Sequence, residues 1–530
     1  MSGSKCNWLG LFLLMNTSVL LAGSIRFPGD TSELVILYTN DLHAHVEPHL
    51  SRQMHPSRKV GGFARIASYV KQQKKYHKNT LYVDAGDYFS GPYVSFLTKG
   101  AAIIDILNAM PLDATTIGNH EFDHGWQNAR LQLKKATFPI VNANIVLDST
   151  LKNPMKGLPF WDKPYHILET GGLKIGVIGV HGRFAFFDTT SPEMVQGVEI
   201  LDERDQVRAW VAALKSKVDL ICVLAHQGIP GRQSSEGNSD VSRNLQTDIL
   251  MAEAVDGIDL LVTGHAHQGT PEAIKSNGCL IVSTNALGME VGKIVLKIDK
   301  SSKRIISHIN SLDTIFEDLF LPDSLVQSRI QFWKDSLSQV AGEVLGSVSE
   351  PLGRSYGHES LMGNFVADAM AATMPGSDFA LVNSGALRVD IPGPLVSMGD
   401  LLSAFPFPNT LVEVKIEGKY LRQIFEHAAG LTNGILQVSG NVRYSYSTQK
   451  PVGQRIEAVS INGHPLISDK VYHVIGPNFV TDGGDGYTAF QYAREMKNSN
   501  IYVIQAMAEF LKRKQNYTPK LEGRISALSN

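Results

Sequence analysis

The chain has 530 residues, of which 43% are hydrophobic and 19% charged, with a formal net charge of −2. One hydrophobic core rarely serves a chain of that length, so two domains are expected, with the composition of an ordinary globular protein. Near-neutrality gives no field for gathering a polyanion, which excludes binding of nucleic acid polymers as a leading role. At the N-terminus, residues 1–24 read as a signal peptide. Lys5 supplies the positive start, residues 8–21 are apolar but broken at Asn16, Thr17 and Ser18, and Ala22-Gly-Ser24 offers a small-x-small cleavage pattern. The apolar stretch is short for a membrane span. Ser24 stands where a lipoprotein signal needs Cys, and residues 521–530 bring no apolar tail. The expectation is an exported protein, periplasmic or secreted, with no stable membrane anchor. Cys6 leaves with the signal, so Cys222 and Cys279 remain, and Asn516-Tyr-Thr518 is the one glycosylation sequon of the mature chain. Two cysteines do not staple a protein of this size; they read as small buried hydrophobes or as one bridge.

From residue 33 to about residue 299, short apolar runs alternate with amphipathic stretches. Runs at 140–145, 174–180, 280–284 and 291–298 predict strands, and 62–71 and 204–215 repeat apolar residues at helical spacing. Such alternation predicts an α/β domain with helices covering sheets. Residues 228–245, rich in Gly, Ser and Asn, read as a loop near a site.

Five apolar runs in this region end in polar chemistry. One ends in Asp41-x-His43, one in Gly86-Asp87, one in Gly118-Asn-His-Glu-Phe-Asp123, one in His226 and one in Gly264-His-Ala-His267. In a helix-covered sheet, ligands gather outside the carboxyl ends of the strands. Asp41, His43, Asp87, Asn119, His226, His265 and His267 offer carboxylate, amide and imidazole donors to divalent metal ions. In the third run Gly118 lets the backbone turn, and His120 followed three residues later by Asp123 allows a carboxylate to hold an imidazole in one tautomer.

Leu321-Pro-Asp323 then stops the domain and can cap a helix, in which Leu325, Val326, Ile330, Trp333, Leu337 and Val340 share one face. This segment, 319–345, reads equally as a hinge between domains or as a helix packed rigidly on one of them. Beyond it, Leu361, Phe365, Val366, Ala369 and Met370 mark a helix, and runs at 411–416, 443–446 and 471–475 mark strands separated by Gly turns. Residues 346–526 are therefore expected to form an α+β domain.

Taken together, Asp41-x-His43, Gly86-Asp87, Gly118-Asn-His-Glu121, His226 and Gly264-His-Ala-His267 resemble the signature of calcineurin-like two-metal phosphoesterases. Phe122-Asp123, Asn383-Ser-Gly-Ala-Leu-Arg388, Pro406-Phe407 and Pro477-Asn-Phe-Val-Thr-Asp-Gly-Gly-Asp-Gly486 resemble the secreted 5'-nucleotidase branch, over roughly residues 33–525. The resemblance implies a four-layer α-β-β-α metallophosphoesterase sandwich over 33–318, the linker helix, and a substrate-binding domain. It implies that Asp87 bridges two metal ions, that Asp41, His43 and His267 complete one site, and that Asn119, His226 and His265 complete the other. Four imidazoles favour Zn, Mn or Co over Mg, although relatives carry Gln or Asn where this chain has His267. His120 and Asp123 become the catalytic pair. Phe407 and Phe479 would sandwich a base, or else be core packing; Asp485 would take the ribose, Asn383 the base edge, and Arg388 and Arg354 the phosphate. The implied reaction is hydrolysis of nucleoside 5'-monophosphates such as AMP by a hydroxide held at two metals. Alternatives sharing the centre are di- or triphosphate, UDP-sugar and 2',3'-cyclic nucleotide hydrolysis; a non-catalytic nucleotide-binding protein is the rival from another class.

Overall fold

The computed structural model describes residues 30–147, 157–229, 244–431 and 433–528. The signal segment and most of the 228–245 loop lie outside the described residues.

Two sheets form the first domain. One has five strands in the order Ile305–Thr314, Glu290–Asp299, Thr31–Thr39, Thr80–Asp84, Ala114–Thr115. The other has six, in the order Ile274–Ser276, Cys279–Val282, Leu260–His265, Leu220–Gln227, Leu173–His181, Tyr165–Thr170. Alternate side chains decide the layering, because successive Cβ atoms of a strand point to opposite faces. Leu34, Ile36 and Tyr38 pack between the sheets with Ile175, Val177, Leu224 and Val262. Val35 and Leu37 face outward beneath Phe63, Ile66 and Val70 of the helix Phe63–Tyr76. On the far side Ile221, Val223 and Leu261 are covered by Val207, Val211 and Leu214 of the helix Glu203–Leu214 and by Met251 of Gln246–Ala254. The result is the expected α-β-β-α sandwich.

Strand direction places the chemistry. Thr31–Thr39, Thr80–Asp84 and Ala114–Thr115 run parallel, as do Leu173–His181, Leu220–Gln227 and Leu260–His265. The carboxyl ends of both sets therefore meet along one edge of the sandwich.

The run at 140–145 departs from expectation. Only a bridge at Ile140 and a short strand Ile145–Leu147 form. Between them the Asn142 side-chain oxygen accepts the backbone N–H groups of Asn144 and Ile145, at 3.2 and 2.9 Å, and turns the chain. Both cysteines are free and buried. Cys222 packs in the core between the sheets and Cys279 in the core beneath the outer helices, so the two thiols serve different layers.

The linker helix runs Ser324–Ala341, capped by the Asp323 carboxylate on the Val326 N–H. Val326 and Ile330 are buried in the first domain's core, with Trp333 and Leu337 packed against it. Trp333 Nε1 also donates to Asp105 at 2.9 Å. Leu325 and Val340, expected on that face, are exposed instead. The buried stripe holds the i, i+4, i+7 and i+11 positions from Val326, and Leu325 and Val340 lie off its edges.

The second domain is built on a five-stranded sheet, Leu436–Val438, Phe379–Asn383, Val471–Pro477, Thr410–Glu417, Glu495–Tyr502. Helices Leu361–Thr373 and Val503–Lys514 cover one face and Gly418–Ala428 the other.

Candidate active site at the meeting of the strand ends

All seven expected ligands gather at the carboxyl edge of the first domain. His267 Nε2 lies 3.2 Å from Asp41 Oδ1 and 3.0 Å from His43 Nε2. On the other side Asn119 Oδ1 is faced by His226 Nε2 at 3.1 Å and His265 Nδ1 at 3.0 Å. Asp87 Oδ2 sits between the two groups, 3.1 Å from His226 Nε2 and 3.9 Å from His43 Nε2. Asp41, His43 and His267, and separately Asp87, His226 and His265, bring ligand atoms within 4.8 Å of one another.

The donor set fits divalent metal ions. Two ring nitrogens converge on one amide oxygen while the same amide's Nδ2 is buried without a partner, an arrangement hydrogen bonding alone does not explain. Main-chain carbonyls hold the rear nitrogens of two rings: His43 Nδ1–H donates to Ser90 O at 3.1 Å and His226 Nδ1–H to Ala85 O at 2.8 Å. Each ring thus presents its Nε2 lone pair to the centre. Burial lowers the affinity of His226 for a proton, yet the Asp87 and Asp41 carboxylates overcome it and push the imidazole up to about 10. The pocket calls for positive charge.

Backbone strain marks the same residues. Asp41 (φ 51°), His43 (42°), Asp87 (61°), His265 (72°) and His267 (51°) all adopt the left-handed conformation that residues other than glycine rarely take. Gly118 departs from expectation in its reason: its φ is not positive. A Cβ there would fall 2.1 Å from Asp87 Oδ1, so glycine is required for close approach. Gly264 is similar, since its Cβ would lie 2.9 Å from His226 Nδ1 and 3.0 Å from Asp41 Oδ2.

Beside the cluster, His120 Nδ1–H donates to Asp123 Oδ2 at 2.7 Å. Its Nε2 accepts from Arg388 of the second domain at 2.8 Å. His120, Asp123, Thr189, Ser191 and Met194 line a cleft together with Asn383, Arg388, Phe407, Asn409, Phe479 and Asp485. Phe407 tilts 37° to the His120 ring at 5.8 Å, with the Arg388 guanidinium 5.1 Å above its face. Both Phe407 and Phe479 are half-buried at the edge of the second domain's core and line the cleft. Asn383 Nδ2 donates to Asp485 Oδ2 at 2.8 Å, leaving Asn383 Oδ1 buried without a partner. Arg354 does not line the cleft; it pairs with Asp390 at 2.9 Å.

Residues 34–269 match the model of the calcineurin-like phosphoesterases, and residues 343–492 match that of the 5'-nucleotidase C-terminal domain. The chain belongs to the two-domain 5'-nucleotidase family. It is 27% identical to a human 5'-nucleotidase over 96% of this chain and 93% of that one. The structure of a 5'-nucleotidase precursor from Thermus thermophilus superposes with a TM-score of 0.82 at 26% identity, over 94% of this chain and all (100%) of that one. A sulfate thiohydrolase from Thermus thermophilus also superposes, with a TM-score of 0.74 at 17% identity over 94% and 97% of the two chains. That likeness speaks for the fold alone, and a fold hosts more than one chemistry. The substrate of this 5'-nucleotidase-family chain therefore has to be argued from the cleft. The family implies divalent metal ions, and the His/Asp cluster stands where they would bind.

Several supports were not assigned from the sequence. The Glu121 carboxylate, inside the Gly-Asn-His-Glu run, accepts the backbone N–H groups of Asp87, Tyr88, Phe89 and Gly118 at 2.6–3.1 Å. It staples the loop carrying Asp87 to the loop carrying Asn119. Asn40 Nδ2 donates to Asp41 Oδ2 at 2.7 Å while its oxygen accepts from Thr284 N at 2.7 Å. Asn40 immediately precedes a ligand, which is the signal that could have found it. Thr189, Ser191 and Met194 carry no such signal, because contacts distant in sequence, such as Trp126 N–H on Met194 O at 3.0 Å, bring their segment beside His120 and Asp123.

Proposed function

We infer that this protein is an exported hydrolase that removes phosphate from nucleoside 5'-monophosphates of the AMP kind. One observation carries the reading: the His120–Asp123 pair, whose imidazole stands 5.0 Å from the His43 ring of the His/Asp/Asn cluster, lines the same cleft as Arg388, Phe407, Phe479, Asp485 and Asn383 of the other domain. Export rests on the sequence of residues 1–24. No helix among the described residues is long and apolar enough to cross a membrane.

Asp41, His43, Asp87 and His267 would hold one divalent ion, and Asp87, Asn119, His226 and His265 the other, with imidazole favouring Zn, Mn or Co over Mg. When bound, such a pair supplies positive charge for a phosphate dianion and activates water near neutral pH. The protein groups do the rest. Asp123 keeps the His120 proton on Nδ1 and the ring turned toward the cleft, so Nε2 faces the phosphoryl oxygens. With Arg388 engaged on phosphate, His120 Nε2 is released to take up a proton from solvent, and the imidazolium so formed stabilises charge on the phosphoryl oxygens and hands that Nε2 proton to the departing 5' oxygen. Phe407 and Phe479 stack the base, and Asp485 accepts from the ribose hydroxyls. Phosphoryl transfer depends mainly on positioning and electrostatics, and this inventory suffices for it.

Phosphate and nucleoside release should be measured with AMP, ATP, a UDP-sugar and a 2',3'-cyclic nucleotide at equal concentration. Fastest release of phosphate and adenosine from AMP is the expected result. Preferential cleavage of a diphosphate bond would replace the monophosphate reading.

A further inference from the structure

We propose that Ser90 is a positioning residue that couples one metal site to the His120–Asp123 pair. The proposal rests on the reading of that pair given above. Ser90 lies in the loop after the strand Thr80–Asp84, is 5% exposed, and holds a left-handed backbone at φ 50°. Serine has no general preference for that conformation, so what the conformation achieves is informative. It turns the two polar ends of one residue toward two different machines. The carbonyl oxygen accepts the Nδ1–H of His43 at 3.1 Å and so fixes which nitrogen that ring offers to the ligand cluster. The hydroxyl donates to Asp123 Oδ2, the same oxygen that receives His120 Nδ1–H. The backbone N–H is itself tied to Ser95 Oγ at 3.1 Å, so the residue is held at three points.

Two donors on one carboxylate oxygen fix its direction. Without the hydroxyl, Asp123 Oδ2 keeps only the His120 N–H, so the carboxylate and the imidazole can swing together and the angle of Nε2 to the cleft is less tightly set. A single donor would align the ring poorly, because carboxylate oxygens accept over a broad range of directions. Neighbouring Gly91 shows how closely this loop is pressed onto the first metal-ligand loop, since a Cβ there would fall 1.8 Å from the His43 carbonyl oxygen. The serine therefore ties the His120–Asp123 side chains to the loop of His43, beside the backbone tie of His120 N–H to Asp87 Oδ1 at 2.8 Å.

The test uses the full chain with Ser90→Ala and Ser90→Gly, each keeping the carbonyl and losing the hydroxyl. Glycine accepts the left-handed backbone without strain, so it carries the test should the alanine variant not fold. The substrate is a small aromatic phosphate ester, whose hydrolysis does not depend on the nucleotide reading. The expected result is a fall in kcat of about 10- to 100-fold, the range for partners that orient a catalytic or ligating group, with KM and bound-metal content unchanged. In an Asp123→Asn background the same serine substitutions should have little further effect, because the hydroxyl acts through that carboxylate. Three results would overturn the proposal: an unchanged kcat, a loss as large in the Asp123→Asn background, or metal loss in step with rate. If instead the small ester behaves as expected and AMP is not hydrolysed by the parent protein, Ser90 stands and the nucleotide reading falls.

Discussion

Arg388 donates to His120 Nε2 across 2.8 Å, joining residues 268 positions apart and two domains in one hydrogen bond. His120 therefore has both ring nitrogens engaged, one by the Asp123 carboxylate of its own domain and one by a cation of the other. This cation lies beside the His120 imidazole and over the Phe407 ring, between the groups proposed to serve phosphate and base.

Replacing Arg388 tests that position. Arg388→Ala should lower kcat/KM for AMP by about 10²–10³-fold, the loss seen when a donor to a reacting oxyanion is removed. Arg388→Lys should recover only part, since an ammonium cannot form the planar fork. Initial-rate kinetics beside thermal melting decide the matter: a drop in melting temperature with intact kinetics would make Arg388 a domain tie only.

Chelation should abolish activity, and Mn, Co or Zn should restore it better than Mg. The motive is the set of imidazoles from His43, His226, His265 and His267 facing Asp41, Asp87 and Asn119. Activity assays on protein whose metal content has been measured at each stage provide the check. Full activity in a verified metal-free sample would be incompatible with the proposed centre.

Asp87→Asn and His120→Ala should fail differently. Asp87 lies between the two ligand groups, so its loss should reduce bound metal together with rate. His120 is engaged by Asp123 and Arg388 instead, so metal content should hold while kcat falls about 10²–10⁴-fold. Equal metal loss in both variants, by elemental analysis, would move His120 into the ligand set.

Phe407→Ala or Phe479→Ala should raise KM for AMP by roughly five- to 150-fold, which corresponds to the ~1–3 kcal/mol of stacking one base on a ring. A small phosphate ester should be hydrolysed nearly as before. Equal losses on both substrates with a lower melting temperature would instead assign the rings to the second domain's core.

Much of the fold was legible because apolar runs in this chain end abruptly in chemistry. Val262 and His265 are three residues apart, one filling the core between the sheets and the other facing Asn119 in the His/Asp/Asn cluster, and the sequence displays that change directly. The unbroken apolar run along 34–38 likewise announces a strand covered on both faces. Less legible was whatever depended on a partner distant in sequence. Glu121 has no assigned role until four amides from two loops are seen to converge on it, and Gly118 reads as a turn until the Asp87 carboxylate is found where its Cβ would stand. Arg354 and Arg388 look alike as phosphate donors; in the structure the first pairs with Asp390 and the second with the His120 ring. Leu325 and Val340 share a helical stripe with Val326 only approximately, and both stand exposed while Val326 is buried.

The left-handed backbones at Asp41, His43, Asp87, His265 and His267 bear on how such a protein can be stabilised. Each strained residue costs on the order of 1–3 kcal/mol relative to a relaxed one. Glycine would accept every one of those conformations without penalty. Selection for melting temperature alone would therefore reward glycine at the very positions proposed to hold metal. Such a search should yield tougher, inactive proteins unless turnover is screened in parallel.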